Sequence, residues 1–137
     1  MISDQASVAL PVMPPANVAA RVQFIEYMGQ RVLFINYADC DIATLKAVSE
    51  EMHRVISKEP PKSVLTLNDV TGTSFDSESV AVLKSKVAAN APYVRRAAVI
   101  GITGLQGLIY EAVQKFSQRS IPLFGSRQEA LNWLVRD

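Results

Sequence analysis

The chain predicts an α/β domain: a mixed, mostly parallel five-stranded sheet with an antiparallel N-terminal hairpin, flanked by about four helices. Its size is the first reason, because 137 residues with 49% hydrophobic and 20% charged side chains suit one domain with its own core. A second is a pair of β-branched and aromatic runs, Val22 to Met28 and Val32 to Tyr37, separated by Gly29-Gln30. Two such runs across a short glycine-containing link make a hairpin. A third is the alternation that follows, in which short apolar runs trade places with segments of helical period. That pattern folds as a parallel sheet with crossover helices.

After the hairpin, Asp39-Cys40-Asp41 supplies turn and N-cap chemistry. Ile42, Leu45, Val48, Met52, Val55 and Ile56 then recur at helical spacing until Pro60-Pro61 ends the helix. Ser63 to Asn68 reads as a short buried strand, and Asp69 to Ser74 as a polar loop. Asp76 can cap a second helix with the stripe Val80, Leu83, Val87 and Ala91, ending before Pro92. Ala97 to Ile102 is apolar throughout, as a strand covered on both faces should be. Gly104 leads into a third helix with Leu105, Leu108, Ile109, Ala112, Val113 and Phe116 inward. Ile121 to Phe124 forms a last short strand, after which Ser126 and Glu129 stand at capping-box spacing ahead of Leu131, Leu134 and Val135.

The domain spans residues 21–137, and residues 1–20 form a separate arm. Met1 to Ala20 is apolar and interrupted by Pro11, Pro14 and Pro15, with no strand or helix period. It has no basic residue before Arg21 and no continuous apolar run, unlike a secretory signal. No stretch approaches the ~18 apolar residues of a membrane span. The arm therefore reads as an extended strap on its own domain or on a neighbouring subunit, and its seven Val, Ile, Leu and Met residues predict a homodimer. One cysteine rules out an internal disulfide and points to a cytoplasmic protein.

Catalytic chemistry is sparse, and the sequence predicts no enzyme, no metal and no cofactor. His53 is the only histidine and reads as an ordinary surface residue, with no second ligand at metal-site spacing. Cys40 stands between Asp39 and Asp41, whose charges raise a thiol's pKa and weaken its thiolate. There is neither a nucleophile elbow nor a Walker loop. The run Gly101-Ile102-Thr103-Gly104-Leu105-Gln106-Gly107 lies at a strand-to-helix turn, but its second glycine comes one residue late for a dinucleotide fingerprint. It reads as a tight turn whose opening amides can still attract an anion.

The net charge of +1 hides an asymmetry: residues 1–83 carry 6 basic and 10 acidic side chains, and residues 84–137 carry 8 and 3. Lys84, Lys86, Arg95, Arg96, Lys115 and Arg119 would compose a basic face. No nucleic-acid motif or aromatic platform accompanies it, so no nucleic acid is expected as a partner and the face reads as solvated.

Four segments carry a resemblance: Arg31-Val32-Leu33-Phe34-Ile35, Ser63 through Thr73, Gly101 through Leu105, and Glu129 through Leu134. Together they resemble the small bacterial SpoIIAA-like, or STAS-like, proteins over roughly Arg21 to Val135. The resemblance implies a mixed sheet flanked by helices, kinship in fold with anti-sigma-factor antagonists and CRAL-TRIO lipid-binding domains, and no assigned chemistry. The antagonists carry a phosphorylatable serine directly after an aspartate, in a turn that follows a strand. Asp69 and Gly72 match that turn, whereas Val70 occupies the serine position and Thr71 is the nearest hydroxyl.

The candidate partner, phosphorylation or anion-binding site is therefore Asp69, Thr71, Gly72, Thr73 and Ser74, joined by Thr103 and Gly104 at the same sheet edge. The leading expectation is a non-enzymatic regulatory module that binds an unidentified protein through this loop. The alternative is a binder of a small apolar, lipid-like or anionic ligand. In either case the hydroxyls of the loop can also serve as turn and cap residues.

Overall fold

A computed structural model describes residues 18–73, 76–102 and 121–136. A single 3-10 turn, Ala19–Arg21, leads into β1 (Val22–Tyr27), which pairs antiparallel with β2 (Gln30–Asn36). The turn between them sits one residue earlier than the Gly29-Gln30 link that the sequence predicts. Tyr27 faces Gln30, so only Met28 and Gly29 lie outside the ladder, at φ 50° and 80°. Both positive values belong to the two-residue turn whose twist matches a hairpin, and glycine adopts its positive φ without the backbone strain that a side chain brings.

From β2 onward the strands run parallel. β3 (Val64–Asp69), β4 (Val94–Ile100) and β5 (Leu123–Phe124) follow in sequence order, so the sheet reads β1-β2-β3-β4-β5. This is the mixed five-stranded architecture that the sequence predicts. Three α-helices are described: α1 (Ile42–Ile56), α2 (Ser77–Asn90) and α3 (Arg127–Val135). The fourth expected helix, over Leu105 to Phe116, lies outside the described residues, as do residues 1–17 of the arm.

Each helix begins where cap chemistry places it. Asp41 accepts the Thr44 amide at 2.8 Å, and Ser126 accepts that of Glu129 at 3.2 Å. Asp76 accepts the Ser79 amide at 2.8 Å while the Ser79 hydroxyl bonds back to the Asp76 backbone, closing a capping box.

Two apolar layers sandwich the sheet. Leu33 and Ile35 of β2 and Val64 of β3 pack with Leu45, Val48, Met52 and Ile56 of α1, where Val82, Leu83 and Val87 of α2 add partial cover. On the other face Val32, Leu65, Leu67, Ala98 and Ile100 meet Ala130, Leu131, Leu134 and Val135 of α3. The alternation along β2, with Val32 on one face and Leu33 on the other, is the period-2 signature of a strand covered on both sides. Burying a side chain such as Leu45 contributes about 1.5–3 kcal/mol.

Several details depart from the sequence reading: β4 begins at Val94, before the predicted Ala97, and ends at Ile100, and β5 keeps only Leu123–Phe124 of the predicted run from Ile121. The buried positions of α2 are Ser79 and Asn90, with Val82 beside Leu83 and Val87, so the helix is turned slightly from the stripe through Val80 and Ala91. The capping box draws Ser79 inward, and the rest of the helix follows. His53 is not a plain surface residue: half-buried in the last turn of α1, its Nδ1 lies 2.6 Å from Oδ1 of buried Asn90, the last residue of α2.

Candidate functional site

The register of the parallel strands decides where the loops meet. Asn36 at the end of β2 stands beside Asp69 at the end of β3, and Asp69 stands beside Ile100 at the end of β4. Three successive connections therefore leave the sheet side by side, at the carboxyl edge where parallel α/β folds place their sites.

Pairing continues beyond the strands. The Tyr37 amide donates to the Asp69 carbonyl and the Asp39 amide to the Thr71 carbonyl, both at 2.8 Å, and the Thr73 hydroxyl donates to the Tyr37 carbonyl. The β2–α1 loop and the β3–α2 loop are thus zipped into one ledge. Close backbone approach maintains it. Gly72, at φ 70°, has its Cα against the Asp39 carboxylate, which would clash with any Cβ there. Gly101, at φ 89°, is packed on Thr71 so tightly that a Cβ would come within 2.7 Å of the Thr71 backbone nitrogen and 3.0 Å of its Cα. Only glycine meets both demands, positive φ and no Cβ.

Asp69 orders the turn itself. Its Oδ1 accepts the Thr71 amide at 3.0 Å and the Thr71 hydroxyl at 2.6 Å, an Asx turn with a second bond added. Below the ledge, Arg21 donates through Nη1 to the Asn36 and Ala38 carbonyls, each at 2.9 Å, and reaches the Cys40 sulfur at 3.3 Å. Buried Tyr37 shares a 2.9 Å hydrogen bond with Ser49 of α1, and burial pushes its phenol up to about 12. Burial also raises the Cys40 thiol, with Asp41 and Asp39 adding to the effect and Arg21 opposing it. This cysteine is a packed core residue and a poor nucleophile.

The expected site residues separate into distinct environments. Thr71 and Gly72 are exposed and Asp69 is half-buried, whereas Thr73 is only 4% exposed with its hydroxyl committed to the Tyr37 carbonyl. Thr73 is therefore a structural tie and not an accessible modification site. Ser74, Thr103 and Gly104 lie outside the described residues, although Gly101, just after β4, packs against Thr71. Asp39, Arg21 and Tyr37 complete the ledge, and sequence reasoning assigned them no part in the site. The sequence did carry one clue, since parallel strands ending in register bring their loops together.

Electrostatics at this edge favour cations. The N-termini of α1 and α2 are occupied by their own carboxylates, and amide bonds hold Asp41 and Asp76 below the ordinary carboxylate range. With Asp39 they leave the described ledge acidic, a poor place for a free anion. The expected basic face is also dispersed: Lys86 pairs with Glu50 at 3.1 Å, and Arg96 donates to the Trp133 and Leu134 carbonyls at 3.1 and 3.2 Å and to that of Arg136. Lys115 and Arg119 lie outside the described residues. Among the described residues no group of His, Cys, Asp and Glu is arranged to hold a metal ion, and no helix is long and apolar enough to cross a membrane. Comparison with protein-family models, with curated proteins and with solved structures finds no match.

Proposed function

We propose that the chain is a non-enzymatic regulatory module of the STAS-like, SpoIIAA-like kind, which binds a protein partner through the paired loops at the carboxyl edge and is switched by phosphorylation of Thr71. The observation that supports it best is the position of Thr71: exposed on the ledge, yet donating its hydroxyl to Asp69 and packed against Gly101. A phosphorylated Thr71 loses that donated proton and gains a charge of about −1.5 to −2 beside the Asp69 carboxylate. Like charges at that distance repel, so the Asx turn opens. Because the Thr71 carbonyl also receives the Asp39 amide, the change reaches the β2–α1 loop. The modified and unmodified ledges then present different surfaces to the partner.

The acidity of the described ledge favours a partner with a basic contact patch over an anionic ligand. Mass spectrometry of the protein from its own cells should find phosphate on Thr71. In parallel, Thr71→Ala and Thr71→Glu proteins should recover different partner amounts from lysate. Identical recovery by both variants and wild type, together with loss of recovery in Arg95→Glu, would move the site to the opposite charge face.

A further inference from the structure

We propose that β1 pairs antiparallel with β1 of a second copy of this chain, joining two five-stranded sheets into one. This interface uses residues that the loop reading does not. β1 is the edge of the sheet, and no described strand lies on its outer side. Its six residues include no proline, and Glu26 is its only charge. Such an edge is a template for another strand unless it is covered. Its apolar side chains also remain partly open: Phe24 on the α1 face, Ile25 and Tyr27 on the α3 face, and beyond them Met28, 75% exposed at the hairpin tip.

Charge selects a second copy as the occupant and fixes the register. Arg31, the cross-strand neighbour of Glu26, lays its guanidinium 3.8 Å above the Phe24 ring and makes a 3.4 Å ion pair with Glu59. In the symmetric register with Ile25 opposite its own copy, Glu26 of each chain stands opposite Phe24 of the other, beside the guanidinium that covers it. The same register sets Gln23 opposite Tyr27 and brings exposed Met28 alongside Val22. Opposed residues then lie an even number of positions apart or coincide, so like faces of the two sheets stay aligned. One arrangement thus satisfies the open edge, the exposed methionine and both charges.

Light scattering of the full chain should give twice the monomer mass. Glu26→Arg and Arg31→Glu should each weaken the dimer at least tenfold, because each sets like charges opposite one another. An equimolar mixture of the two variants should dimerise again: the reversed charge at position 26 of one chain then meets the reversed charge at position 31 of the other, and the remaining pair is native. Contacts within one chain cannot produce that recovery. Met28→Asn guards against a folding artefact, because asparagine suits the positive φ of Met28, yet removing the apolar tip should weaken the dimer severalfold. A monomeric wild type at high micromolar concentration, a mixture that stays monomeric, or dimers unchanged in Glu26→Arg or Met28→Asn would each overturn the proposal.

Discussion

Asp69 grips Thr71 twice through one atom: Oδ1 accepts the Thr71 amide at 3.0 Å and its hydroxyl at 2.6 Å. The bonded pair closes the turn immediately after β3, so the shape of the ledge depends on one carboxylate. Asp69→Ala should lower stability by about 1–2 kcal/mol, the loss from two partly exposed hydrogen bonds to a charged acceptor. Asp69→Asn should recover much of that loss, because its side-chain oxygen can still accept the amide. Urea melts of the three proteins check this, and an unchanged midpoint in Asp69→Ala would show that the turn holds without the side chain.

Gly72 and Gly101 look alike in sequence but should respond differently to the same test. Gly72→Ala and Gly101→Ala both force an alanine into the left-handed region, at about 1–2 kcal/mol each, and add a clash. For Gly72 the obstruction is the Asp39 side chain, so Asp39→Gly should relieve part of the cost in the double variant. For Gly101 it includes the backbone nitrogen and Cα of Thr71, so Thr71→Ala should recover little. A double-mutant cycle for each pair reads the difference.

Tyr37 links the ledge to the core, and its burial sets an alkaline limit on the fold. The folded phenol titrates at about 12 and an unfolded one near 10, so the unfolded chain loses its proton first. The contribution is complete below pH ~10 and is lost as pH rises toward 12. In an absorbance titration the Tyr37 step should coincide with loss of the far-ultraviolet helix signal, and Tyr37→Phe should move the alkaline limb of the stability profile upward. At neutral pH the same variant should cost about 1 kcal/mol, because it leaves the buried Ser49 hydroxyl unpaired.

What the sequence disclosed divides by the range of the interaction. Asp41, Asp76 and Ser126 were legible as caps because each bonds to an amide three residues ahead. The strands were legible because alternating or continuous apolar runs have few other uses. Thr71 and Thr73 could not be told apart, since the difference is a hydrogen bond from Thr73 to a carbonyl 36 positions earlier in the chain. Arg21 and Arg96 carried no local mark for the same reason: both guanidiniums bond to carbonyls of distant elements. The stripe of α2 was read slightly off because Ser79, polar and small, is buried by the cap that it helps to form.

Arg96 provides the last test, because its charge belongs to the fold and not to a basic surface. Its Nη1 donates to the carbonyls of Trp133, Leu134 and Arg136, where α3 ends and its backbone acceptors lack helical partners. Its guanidinium also lies 5.7 Å from the Trp133 ring centre. Arg96→Ala should therefore cost about 1.5–3 kcal/mol and loosen the end of α3. Arg96→Lys should recover only part, since an ammonium can replace the donor but not the planar guanidinium beside the Trp133 ring. The chain has a single tryptophan, so its fluorescence reports this corner alone. Emission should shift to longer wavelength in Arg96→Ala and stay put in Arg95→Ala, whose side chain is exposed. Equal spectra and equal melting points for the two alanine variants would show that Arg96 is only a surface charge.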